Sequence, residues 1–187
     1  MRIGIDIDDT ITNSTPVINK YIKEYGSTFF DASEFQKKKE ELSRGILNDE
    51  IATKFFSKYA VEISDHIELK EDAKEIIDKL HNEGHEIIII TARRDNYYKD
   101  AYAYCTKYLK SKNVYYDKLI TEQVYKDKTC INEKIDLMID DAIDTCETLD
   151  KLGIKTLLFT SEINKNKDTK IPRVNFWKEV YNYIHNL

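Results

Sequence analysis

From Lys70 onward the chain alternates between helical stripes and short apolar runs, and few folds accommodate that alternation. Ala73, Ile76, Ile77 and Leu80 recur at helical spacing, with Gly84 behind them as a helix stop. Glu86 to Thr91, rich in isoleucine, reads as a buried strand. Tyr98, Ala101, Tyr102, Cys105, Tyr108 and Leu109 mark the next helix, and their tyrosines at this spacing read as core. Leu119 to Thr121 reads as a short strand, followed by a helix near Lys128 to Glu133 and a strand from Asp136 to Asp140. A helix with Ala142, Cys146 and Leu149 comes next, then a strand from Lys155 to Phe159 and a polar loop. Phe176, Trp177, Val180, Tyr181 and Ile184 mark the last helix. Strands joined through helices pair in parallel, and a parallel sheet is buried on both faces. The expected fold class is therefore α/β.

The N-terminus supplies one more strand. Ile3 to Ile7 is apolar and runs into Asp6, Asp8, Asp9 and Thr10. Side chains alternate along a strand, which predicts that Asp6 and Asp8 face the same way. Two adjacent carboxylates repel and lose hydration, an arrangement useful only with a cation or a reaction. A calcium loop is excluded, because counting from Asp6 its required Gly and Glu positions hold Ile11 and Val17. Between this strand and Lys70 the sequence turns helical. Val17, Ile18, Tyr21, Ile22 and Tyr25 form one stripe, with Gly26 as its stop. A lysine-rich stretch runs from Asp31 to Arg44, and Ile51, Ala52, Phe55, Phe56, Tyr59 and Ala60 form another stripe. Residues 15–65 thus read as a helical insert, and residues 1–14 and 66–187 as the domain that carries it.

Composition narrows the partners. A net charge of -5 offers no footprint for a nucleic-acid polymer or an anionic membrane. The longest apolar run is Ile87 to Ile90, too short to span a bilayer, and the N-terminus lacks a signal peptide's pattern. Three cysteines, Cys105, Cys130 and Cys146, show no metal or redox spacing and point to a reducing, cytoplasmic setting. A length of 187 residues suits one domain with a small insert, as a monomer or homodimer.

Ile-Gly-Ile-Asp-Ile-Asp-Asp-Thr at the N-terminus, Ile-Thr-Ala-Arg after the second strand, and Ile-Asp-Asp after a later one resemble the successive signatures of the haloacid dehalogenase (HAD) superfamily. With the helical insert and the closing Asn-Phe-Trp-Lys-Glu-Val-Tyr, the chain looks most like the 5′(3′)-deoxyribonucleotidase branch. The resemblance implies a three-layer α/β/α, Rossmann-like sheet, with the first strand central and beside the strand ending at Asp140. It places a helical cap over 15–65.

The resemblance also implies roles. Asp6 is the candidate nucleophile, ionised without a helper, and Asp8 the candidate general acid and base. Asp8 needs a raised pKa, which a neighbouring phosphate would supply. Asp9 is expected to stabilise the loop, and Thr10 to orient Asp8. The Thr91 hydroxyl and the Ala92 backbone N–H would bind a phosphate oxygen. Of Arg93 and Arg94, one is expected to reach an anion and the other to be solvated. The site lysine would offset the crowded carboxylates. Lys128, preceding a short helix and then a strand, fits best, with Lys118 and Lys126 competing. Asp6, the Asp8 carbonyl and Asp141 would hold Mg2+, with Asp140 in support. Asp144 could orient a metal-bound water or cap its helix.

The expectation is a magnesium-dependent phosphomonoester hydrolase acting on a small phosphorylated metabolite, a nucleoside monophosphate first and a sugar phosphate second. A response-regulator receiver would use similar residues in another order, without an insert. A metal-binding interaction protein would not need every chemical position filled.

Overall fold

A computed structural model describes residues 1–29, 31, 34 and 49–187. The lysine-rich stretch, apart from Asp31 and Glu34, lies outside the described residues, as do Phe30 and Phe35. Six parallel strands form one sheet in the order β3-β2-β1-β4-β5-β6. They are β1 (Arg2–Ile5), β2 (Glu86–Ile90), β3 (Lys118–Ile120), β4 (Leu137–Asp140), β5 (Lys155–Phe159) and β6 (Arg173–Val174). The helices are α1 (Ser14–Tyr25), α2 (Asp49–Asp65), α3 (Ala73–Asn82), α4 (Asp95–Tyr98), α5 (Ala101–Ser111), α6 (Asp127–Asn132), α7 (Ile143–Lys151) and α8 (Trp177–His185).

The central strands are buried on both faces, so they carry near-continuous apolar runs. On one face Ile3, Ile5, Ile87, Ile89, Leu137 and Ile139 pack against α3, α5 and α8. On the other, Ile88, Ile90 and Met138 meet Cys130 of α6 and Leu149 of α7. Three layers result, with β1 between β2 and β4 as expected. Gly4 belongs to the crowded second face, where a Cβ would lie 2.6 Å from Met138 Sδ. Gly84, at φ +89, turns the chain from α3 into β2.

Three local expectations are corrected. The single helix across Tyr98 to Leu109 is two, because Lys99 adopts φ 67 between α4 and α5. The loop before the last helix contains β6, whose two residues are too few for a periodic signal. Asp6 and Asp8 do not share a strand: β1 stops at Ile5, and Asp8 belongs to a wide turn, Ile7–Ile11, in which Asp9 has φ 57.

Helices α1 and α2 have a core of their own, built from Tyr21, Ile22, Ala52, Phe55, Tyr59, Ile63 and Ile67. The segments leading out to them and back are paired, with Thr12 and Leu69 forming an isolated antiparallel bridge. Asn13 N–H donates to Glu68 O at 2.9 Å and Lys70 N–H to Ile11 O at 2.8 Å. No helix among the described residues is long and apolar enough to cross a membrane.

Candidate functional site

A parallel sheet leaves loops at the C-terminal ends of its strands, and ligands bind there. β1, β2 and β4 deliver their ends to one cavity of about 370 Å³. Asp6, Asp8 and Asp9 reach it from β1, Ala92, Arg93 and Arg94 from β2, and Asp140 and Asp141 from β4. Ile18, Phe56, Ala60, Ile63 and Ile67 roof it from α1, α2 and the segment after α2.

The turn after β1 is fixed from three sides. Asp9 is buried and accepts from the Ser14 N–H at 2.9 Å, the Thr15 N–H at 3.0 Å and the Thr15 hydroxyl. It thereby caps α1, whose positive N-terminal end suits a carboxylate. This is the loop-stabilising role expected of it. Trp177 Nε1 donates to Thr10 O at 3.1 Å, so the last helix holds the turn down. The Thr12 hydroxyl donates back to Ile7 O at 2.9 Å.

Asp8 is held by two partners. Arg93 Nε donates to Oδ2 at 2.9 Å and Nη2 to Oδ1 at 2.8 Å, a bidentate pair. The Ser14 hydroxyl donates to Oδ1 at 2.7 Å. Burial would raise the Asp8 carboxyl, but the Arg93 charge and these hydrogen bonds outweigh it and set it below its ordinary value. Thr10 does not orient Asp8: its buried hydroxyl has no partner among the described residues, and Ser14 fills that place. The Ser-Thr-Pro run is a helix-start signal that points to these hydroxyls.

Lys126, not Lys128, is the lysine that lines the cavity and meets the strand-end carboxylates. Its buried Nζ donates to Asp6 Oδ1 at 2.5 Å and Asp140 Oδ2 at 2.6 Å. Burial alone would lower the ammonium, and the two carboxylates raise it instead. Lys128 is exposed on α6. Two positions along a helix turn the side chain to nearly the opposite side, whereas four bring it back. The buried Cys130, four residues past Lys126, is the sequence signal that selects it. Lys118 pairs with Glu133 at 2.6 Å, away from the cavity.

Asp6 is pushed up to about 7 by burial and by Asp140 and Asp8, against the pull of Lys126. Asp140 spends its second oxygen on the Ala142 N–H at 2.8 Å. Asp141 is raised well above the carboxylate range by burial and by Asp140, Asp9 and Asp6. No ion pair to Asp141 is present among the described residues.

Thr91 is buried below the cavity and does not line it; its Oγ1 accepts from the Arg93 N–H at 3.3 Å. Ala92 lines the cavity and is exposed. Neither arginine is fully solvated. Arg94 is half-buried, with its guanidinium 4.6 Å from the Tyr97 ring centre and donating to the Tyr97 hydroxyl. Asp144 is exposed in the first turn of α7 and does not line the cavity.

Among the described residues no three His, Cys, Asp or Glu side chains form a complete cage for a metal. Magnesium needs none, since it keeps water and binds through one or two carboxylates. Asp6 and Asp141 are hard oxygen donors raised by burial and by neighbouring carboxylates, and a divalent cation offsets that concentration of negative charge. The donor set fits.

Residues 1–187 match the family described as 5′ nucleotidase, deoxy (pyrimidine), cytosolic type C protein. A nucleotidase from Clostridium acetobutylicum is 31% identical over 194 residues, covering 100% of this chain and 95% of that protein. A predicted phosphatase from the same organism superposes with a TM-score of 0.72 at 16% identity, covering 100% of this chain and 98% of that one. A HAD phosphatase from Thermococcus onnurineus gives 0.68 at 15% identity, covering 98% and 97%. The fold, the strand-end carboxylates and the match over the full length agree, and the chain belongs to the cytosolic type C 5′-nucleotidase family of HAD-like phosphomonoester hydrolases.

Proposed function

We propose that this chain hydrolyses nucleoside monophosphates, with Asp6 as nucleophile, Asp8 as general acid and base, and magnesium as cofactor. What supports this reading most directly is that Asp6 and Asp8 line one cavity while each is held by its own buried cation, Lys126 and Arg93. An ionised Asp6 oxygen attacks phosphorus, and the bond to the ester oxygen breaks. Asp8 gives that oxygen a proton, and the nucleoside leaves as an alcohol. Asp8 then takes a proton from water, whose oxygen attacks the phosphorus of the aspartyl-phosphate. Phosphate leaves and Asp6 returns as a carboxylate.

An arriving phosphate competes for Arg93 and raises the proton affinity of Asp8, reversing the bias that Arg93 sets. Lys126 keeps Asp6 aimed and offsets Asp140. The Ala92 N–H, and the Thr91 hydroxyl once turned from Arg93 N–H, would take phosphoryl oxygens. Asp6, Asp141 and the Asp8 carbonyl would hold magnesium, which when bound neutralises charge on those oxygens. Residues 15–65 act as a cap whose apolar roof excludes water. Phe56, whose ring lies 5.0 Å from that of Tyr97 at the cavity wall, offers a nucleobase a stacking face. Three free, buried cysteines fit work in the cytoplasm.

The test is released phosphate from deoxyuridine and thymidine monophosphates against ribose 5-phosphate, with wild type and Asp6→Asn. A stacked base should favour the nucleotides about 10-fold or more in kcat/KM. A ratio near one would leave a general small-molecule phosphatase. Asp6→Asn activity within about tenfold of wild type would remove the nucleophile.

A further inference from the structure

Three tyrosines on α4 and α5 remain outside the chemistry described above. Tyr98 and Tyr104 stack with centroids 4.7 Å apart and planes 23° apart, and Tyr104 and Tyr108 follow at 6.3 Å and 16°. This ladder touches the two halves of the molecule. On one side the Arg93 guanidinium carbon lies 4.8 Å from the Tyr108 ring centre and 5.6 Å from that of Tyr98. On the other, each hydroxyl meets the end of α2 or the residues behind it. Tyr98 OH is 3.1 Å from the Ser64 hydroxyl, Tyr104 OH lies 3.3 Å from both Val61 O and Asp65 Oδ1, and Tyr108 OH donates to Ile67 O at 3.4 Å.

We propose that the Tyr98–Tyr104–Tyr108 ladder positions Asp8 through Arg93, so that the acid is correctly aimed only when the end of α2 is docked on the ladder. The other support of Asp8 belongs to the same helical unit, because Ser14 is the first residue of α1. The start of α1 and the end of α2 thus both bear on one carboxylate. Ring faces attract a guanidinium and restrict its plane. A bidentate pair transmits that plane to both carboxylate oxygens. The Arg93 side chain, only 2% exposed, has little room to turn unless the rings move. These tyrosines are positioning residues, and none is assigned contact with the reacting atoms.

The inference rests on Asp8 being the acid, and the experiment separates the two. The readout is the ratio of kcat for an alkyl phosphate, whose leaving group needs a proton, to kcat for para-nitrophenyl phosphate, whose leaving group does not. Tyr98→Phe and Tyr104→Phe keep the rings and remove the hydroxyls, and Ser64→Ala removes the partner on α2. Each should lower the ratio about 3- to 10-fold, the size of one hydrogen bond. Tyr98→Phe combined with Ser64→Ala should lower it no further than Ser64→Ala alone, because Ser64 is already the partner lost to the Tyr98 hydroxyl. Asp8→Asn is the control. If it lowers the ratio and the tyrosine variants do not, the coupling is wrong. If it leaves the ratio unchanged, the acid assignment is wrong. A fall in thermal stability with an unchanged ratio assigns the ladder to packing alone and overturns the proposal. Because a single hydroxyl is removed from rings that stay stacked, Tyr104→Phe gives a folded protein in which to read it.

Discussion

Arg93 and Asp8 are 85 residues apart in sequence and form a two-pronged pair, Nε to Oδ2 at 2.9 Å and Nη2 to Oδ1 at 2.8 Å. A lysine can neutralise a carboxylate but cannot reproduce that fork. Arg93→Lys is therefore expected to keep the fold and to lower kcat about 100-fold, the cost of a misaimed group. Steady-state kinetics with a nucleotide substrate check it, and a loss under threefold would show that the charge alone suffices.

Lys126 and Lys128 make a matched comparison. Lys126→Met leaves Asp6 and Asp140 facing each other without their shared cation. Breaking a buried pair in this way costs about 3–5 kcal/mol. Lys128→Met changes an exposed side chain and should fall within about 0.5 kcal/mol of wild type. Urea denaturation in EDTA measures both. Equal midpoints for the two variants would contradict the arrangement.

Metal binding and pH should be coupled. Asp6 at about 7, and Asp141 raised well above the ordinary 3.8, hold protons that an unfolded chain has already released. Between those values the folded state binds more protons than the unfolded one. Stability without metal therefore falls as pH rises through the window. Magnesium requires the ionised carboxylates, so its affinity should climb from about pH 6 to about pH 8. Titration calorimetry at both pH values tests this, and an unchanged affinity would refute it.

Phe56 offers a check on the roof. Phe56→Ala removes the ring that faces Tyr97 and should reduce kcat/KM for thymidine monophosphate about 10-fold, the value of one stacked base. Ribose 5-phosphate, which has no base, should lose much less. Parallel losses on both substrates would mean that Phe56 shapes the cavity without touching a base.

Much of the frame was legible because it is written in periodicity. Isoleucine runs marked the central strands, and helical stripes marked their crossovers. The acidic strand ends announced the cavity, because so many carboxylates crowded together exceed what capping a turn or a helix requires. What escaped was set by long-range contacts. Arg93 reaches Asp8 only after the sheet has brought β1 and β2 together. The choice of Lys126 depended on which side of a six-residue helix faces inward, which a short, mostly polar segment states weakly. The turn at Lys99 required a left-handed lysine, which no sequence rule favours. The tyrosine stripe read as core: Tyr108 is buried in it with its ring toward Arg93, whereas Tyr102 is exposed.

The bridge between Thr12 and Leu69 has a consequence for how such a chain can vary. The outgoing and returning segments already lie side by side, held by Asn13 to Glu68 and Lys70 to Ile11. A connection of a few residues could span that gap in place of two helices, and loop-closure entropy changes only slowly with the length inserted. Sequence changes between the two anchor points leave the sheet and its strand-end aspartates in register. The sheet can thus be inherited under another roof, provided the new roof again supplies the hydroxyl and backbone N–H groups with which Ser14 and Thr15 hold Asp8 and Asp9.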